Sequence, residues 1–116
     1  MKFGTYLKKH RETLGKDSKE YSIRKVSDRI GIQPSYLSRI ERGEDIPPSE
    51  EKIKLLADDL NLDPDITLAL AGKISSDLKD IICKRPKLFS DLIRSLKDSP
   101  DEAVFRVVRE VRDGDW

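Results

Sequence analysis

Between Ser22 and Arg42 the chain reads SIRKVSDRIGIQPSYLSRIER, and its apolar residues fall only where two crossed helices would touch. Ile23, Val26 and Ile30 recur at i, i+3 and i+7, one face of a 3.6-residue period, behind Ser22 as an N-cap. Gly31 stops this helix, since glycine takes the left-handed conformation without steric penalty. Ile32 plugs the turn, and Pro34 opens a second helix at the first helical position, where its missing N–H costs nothing. That second helix buries Leu37 and Ile40 and presents Ser35, Tyr36, Ser38 and Arg39 outward. Short polar groups and one long cation form the surface a helix needs if its N-terminal half is to touch base edges in a DNA major groove.

The same periodicity predicts helices throughout. A first helix spans about Lys2 to Leu14, a fourth about Glu50 to Leu60 behind Ser49, and a fifth about Pro64 to Ala71 behind Asp63, with Gly72 as its stop. Beyond Gly72, Ser75 or Ser76 opens a helix carrying Leu78, Ile81 and Ile82. Pro86 opens another with Leu88, Phe89, Leu92, Ile93 and Leu96, and SPDE (Ser99 to Glu102) reads as a capping box before Val104, Val107, Val108 and Val111. The expected architecture is all-α: a five-helix domain over residues 1–72 and a short helical extension over residues 73–116. Three short amphipathic segments cannot make a comfortable core of their own, so they should pack on the first domain, on each other or on a second copy.

On these residues the chain resembles the Cro and lambda-repressor type helix-turn-helix regulators, the Xre family, over roughly residues 3 to 72. SYLSRIERG (Ser35 to Gly43) is the most specific piece; Phe3, Tyr6, Leu7, Arg11 and Leu14 look like the family's first helix, and Pro47 to Gly72 like its fourth and fifth. The resemblance implies a repressor-type fold, double-stranded DNA as partner, and an ion pair between Arg11 and Glu41 that orients the reading helix. It implies DNA contacts at Ser22, Gln33, Pro34, Ser35, Tyr36, Ser38, Arg39 and Arg42, with Arg39 at a base or phosphate and Arg42 at the backbone.

Four departures from the family pattern matter. KDSKE (Lys16 to Glu20) lengthens the link after the first helix into what should be a solvated loop. Ser27 stands where alanine is usual, small enough for close crossing and able to bond back to the Ile23 carbonyl. Gln33 replaces the usual serine or threonine cap, which leaves its amide free for an adenine edge or a phosphate. Glu44 and Asp45, just past the reading helix, should repel phosphate and hold affinity per half-site down.

Composition narrows the function classes. Charged residues make up 39% of the 116 and aromatics 6%, a balance suited to small helical modules. The net charge of +1 hides an asymmetry: residues 1–48 hold 11 Lys and Arg against 7 Asp and Glu, residues 49–116 hold 12 against 15, and the positive end carries the helix-turn-helix. One cysteine and one histidine leave no Cys or His metal site and no internal disulfide, so no metal or cofactor is expected. A phosphate loop, HExxH and a serine elbow are all missing, which argues against an enzyme. No apolar run approaches a membrane span and Met1 to Leu14 is too charged for a signal peptide, so a cytoplasmic location is expected.

Competing readings stay open at single residues. Tyr36 serves either DNA or the edge of the contact between the second and third helices; Lys16 and Lys19 read as solubilising charges, His10 as exposed, and Cys83 as a partly buried, inert thiol. One reading helix covers few base pairs, so the expected function is a homodimeric, sequence-specific transcriptional regulator, a repressor, paired through Val104, Val107, Val108 and Val111. The alternative is an antitoxin-like or partner-regulated protein whose C-terminal helices bind another protein while the helix-turn-helix serves autoregulation.

Overall fold

Helix follows helix along the whole chain, with one 3₁₀ turn and no strand. The structure, a computed structural model describing all residues Met1–Trp116, runs α1 (Phe3–Gly15), a 3₁₀ turn (Lys19–Tyr21), α2 (Ile23–Ile30), α3 (Pro34–Glu41), α4 (Glu50–Asp59), α5 (Pro64–Leu70), α6 (Ser76–Lys84), α7 (Pro86–Leu96) and α8 (Asp101–Asp113). It divides into two units, Met1–Ser75 and Ser76–Trp116.

In the first unit, α3 packs on α1 and α2, α2 also packs on α4, and α4 on α5. Ten residues form the core, among them Leu7, Val26, Leu37, Ile40, Ile53, Leu56 and Leu68, all essentially without solvent access. Each such side chain contributes about 1.5–3 kcal/mol by leaving water, so this unit holds its short helices together by burial, not propensity. Caps fix the boundaries. Ser22 Oγ accepts from the Lys25 N–H, Ser49 Oγ from the Lys52 N–H, and Asp63 Oδ1 from the N–H groups of Asp65 and Ile66. Gly31, at φ 83°, ends α2, and Lys52 Nζ donates to the Ile30 carbonyl at 3.1 Å, a cation on that helix's negative end. Asn61, at φ 56°, ends α4 in the same way, with the Leu62 N–H reaching back to the Ala57 carbonyl at 2.7 Å.

Gly4 sets the closest approach in the domain. A Cβ there would stand 2.2 Å from the Ile40 carbonyl oxygen and 2.8 Å from that of Glu41, so the start of α1 lies directly against the end of α3. Only glycine allows that backbone contact.

Several expectations need correction. The link after α1 is mostly exposed, as expected, but it is not irregular throughout: its end winds into the 3₁₀ turn, capped by Ser18 Oγ accepting from the Glu20 N–H at 3.1 Å. Ser27 Oγ is buried and makes no hydrogen bond; the small side chain fits the helix crossing, but its hydroxyl does not reach the Ile23 carbonyl. His10 is half-buried, its Nδ1 2.9 Å from the Tyr6 carbonyl and its ring 4.5 Å from that of Tyr6. At α8 no capping box forms: Pro100, extended at φ −69° and ψ 159°, is the N-cap without a side-chain bond, so the helix starts one residue later than a Ser99 cap would place it. Asp101 and Glu102 still match the positive end of that helix.

The second unit contains no buried residue in α6, α7 or α8. Leu78, Ile81, Leu88, Leu92, Ile93, Val104, Phe105, Val108, Val111 and Trp116 are all exposed, and Val107 is half-buried. Cys83 is exposed, contrary to the expectation of a partly buried thiol, as are Leu78 and Ile81 of the stripe it borders. The unit carries nine Lys and Arg against nine Asp and Glu, so the acidity of residues 49–116 belongs to the segment before Ser76.

Candidate nucleic-acid interface

The candidate surface is built on α3, whose two faces separate cleanly. Leu37, Ile40 and Glu41 are buried, while Ser35, Ser38, Arg39 and Arg42, spaced i, i+3, i+4 and i+7, share the opposite side. Gln33 is exposed at the N-cap and makes no side-chain cap bond, so the first N–H groups of α3 and the Gln33 amide are open at one end. Pro34 holds the N1 position, half-buried. Ser22 lies on a different element, exposed at the start of α2, with its hydroxyl engaged in capping.

Arg11 and Glu41 hold the back of this helix. Arg11 Nε donates to Glu41 Oε2 at 2.7 Å and Nη2 to Oε1 at 2.8 Å, a two-pronged ion pair with both side chains nearly covered. The bond to Glu41 raises the Arg11 pKa further, so the guanidinium is charged at every relevant pH. The third arm, Nη1, donates to the Tyr21 carbonyl at 3.0 Å. The inserted link is thereby tied to the arginine that anchors α3.

The same link is fastened from a second side. Arg29 grips Asp59 with Nε and Nη2 at 2.7 and 2.9 Å and lies 5.3 Å above the Tyr21 ring; Glu20 pairs with Lys25 at 3.0 Å and meets Arg29 at 3.7 Å. The bond to Asp59 raises the Arg29 pKa. The extra residues therefore end in an ordered anchor spanning α2 and α4.

On the exposed side, the segment after α3 folds back on the reading helix. The Glu44 N–H bonds to the Arg39 carbonyl at 2.9 Å after the turn at Gly43. Arg39 Nε then donates to Asp45 Oδ2 at 3.0 Å, the Ile46 N–H to Asp45 Oδ1 at 2.8 Å, and the Tyr36 hydroxyl to the Ile46 carbonyl at 2.8 Å. Arg39 first, and the Ile46 N–H second, hold the Asp45 carboxyl below the ordinary carboxylate range, so this pairing persists above that range and is lost only in acid. Burial, and then the Asp45 charge, push the Tyr36 phenol up, keeping it a neutral donor. Arg42 pairs with Glu44 at 3.1 Å and also with the Ser38 hydroxyl.

The sequence pattern marks Arg39, Arg42 and Tyr36 and gives Glu44 and Asp45 only as repellers of phosphate. The pairing of these acids with the two arginines, and the parts played by Gly4, Arg29, Asp59 and Lys52, are visible only in the structure. A glycine one position inside a helix start was a readable signal; the loop pairings depend on a backbone turn that no spacing rule encodes.

Two short helices crossing at a glycine turn, the second anchored from behind and polar in front, define a helix-turn-helix domain. Residues 7–66 match the helix-turn-helix family, more than half of the chain, and the chain belongs to that family in its Cro/C1-type, Xre-like form, a family of DNA-binding regulatory domains. No curated protein and no solved structure matches it. No helix is long and apolar enough to cross a membrane.

Proposed function

We propose that this chain is a sequence-specific transcriptional repressor that binds double-stranded DNA as a homodimer through α3. The observation that carries the reading is the anchored face of α3: Ser35, Ser38, Arg39 and Arg42 on one side, Glu41 locked to Arg11 on the other. A helix held in this way presents short donors and cations in a fixed register, as direct readout of base edges requires. Ser22, Gln33 and Pro34 border the surface at helix starts, where N–H groups suit phosphate oxygens. Tyr36 contributes mainly by pinning the Ile46 carbonyl.

Dimerisation follows from affinity. Each good base contact is worth roughly 1–3 kcal/mol, too little for one short helix to find a site in a genome, whereas two copies on half-sites about 34 Å apart suffice. The stripe of α8, with Val104, Val108 and Val111 exposed and Val107 half-buried, and with Phe105 at its edge, is the proposed pairing surface, and the proposed location of such a repressor is the cytoplasm. Selection of bound duplexes from a random pool tests the reading. The expected product is a two-fold symmetric motif; recovery of no sequence preference would refute it.

A further inference from the structure

We infer that Asp45 is a positioning residue that sets Arg39 to read guanine, so that a residue outside the reading helix determines specificity at one base of each half-site. The inference rests on the DNA-binding reading above. Its ground is how the donors of the two exposed arginines are divided.

A guanidinium has three nitrogens. In Arg39, Nε is taken by Asp45 Oδ2, and no group of the chain bonds the two terminal nitrogens. Those two nitrogens, end-on, are the fork that matches O6 and N7 of guanine in the major groove. In Arg42, Nε goes to Glu44 and Nη1 to the Ser38 hydroxyl, so one arm of the fork is already engaged and a phosphate contact suits it better.

Asp45 is itself held in place. Its other oxygen accepts from the Ile46 N–H, and the Ile46 carbonyl accepts from the Tyr36 hydroxyl. Tyr36 and Arg39 stand three residues apart on α3, so the chain of bonds leaves the helix at one residue and returns at the other. The carboxylate thus fixes the guanidinium plane before DNA arrives, which removes part of the ordering cost of a long side chain on binding. It also charges a toll on non-specific binding, because a carboxylate beside phosphate is repelled wherever the fork finds no guanine.

The experiment compares wild type, Asp45→Ala and Glu44→Ala on duplexes recovered from a random pool and then varied singly at each position, with thermal unfolding of each variant alongside. Wild type should prefer guanine at one position per half-site by roughly tenfold or more, the worth of one good bidentate contact. In Asp45→Ala that preference should fall to about twofold, with binding to unrelated duplex unchanged or stronger. Glu44→Ala removes the same charge from the same loop and should keep the preference. Arg39→Lys retains the charge without the fork, and should lose the preference even where Asp45→Ala unfolds the loop.

Retention of the guanine ratio in Asp45→Ala, or its equal loss in Glu44→Ala, would overturn the inference. A wild-type motif without an Arg39-dependent guanine would overturn it while leaving the DNA-binding reading intact; no motif at all would overturn both.

Discussion

Arg11 and Glu41, thirty residues apart, are joined by two parallel bonds of 2.7 and 2.8 Å, with side chains only 11% and 4% exposed. The pair ties the end of the reading helix to α1 at the point where Gly4 lets the two backbones touch. A covered ion pair adds little raw stability against a well-packed apolar substitute, but removing one partner strands the other. Glu41→Ala should therefore cost about 3 kcal/mol or more. Thermal unfolding checks this; an unchanged midpoint would mean that the pair does not restrain α3.

Ser27 leads to the opposite sign. Its hydroxyl is buried between packed helices with no partner, so it carries a desolvation cost without a compensating bond. Ser27→Ala should stabilise the protein by about 1 kcal/mol and leave DNA affinity unchanged. Denaturant unfolding reads this directly, and a destabilised variant would show that the hydroxyl has a partner in solution.

How legible all this was in the sequence varied with the kind of interaction. Helix faces, caps at Ser22, Ser49 and Asp63, the glycine turn and the Arg11–Glu41 pair are local patterns or family signatures, and the structure contains them. The Lys52 cap on the Ile30 carbonyl and the Arg29–Asp59 grip join residues whose distance is set by tertiary packing, and the Asp45 pairing depends on the turn at Gly43; periodicity carries neither. Ser99 misled because its hydroxyl fits a capping motif that Pro100 displaces by one residue.

The division of donors between the two exposed arginines separates their roles. Arg39→Ala should relax sequence preference at one base position of each half-site, whereas Arg42→Ala should weaken binding to all sequences about equally. Competition binding against duplexes changed at single positions distinguishes the two, and uniform weakening by both would remove the base-reading role of Arg39.

The second unit should depend on a partner for its order. Helices of nine to thirteen residues with no buried side chain are marginal alone, and valine at every position of the α8 stripe lowers helix propensity further. Val107→Asp should give monomers at micromolar concentration with the N-terminal unit intact, and should weaken binding to paired half-sites far more than to one. Sedimentation checks this. An unchanged dimer would assign α8 to another protein partner, as in the antitoxin-like alternative, and complete loss of helicity would assign it to the monomer core.

The most direct test of the central claim, that the polar face of α3 binds DNA, is the salt dependence of binding to a duplex recovered from the random pool. If each copy neutralises about four phosphates, a dimer should show a slope of roughly −7 in log affinity against log salt, from about 0.9 per contact. A slope near zero would contradict it.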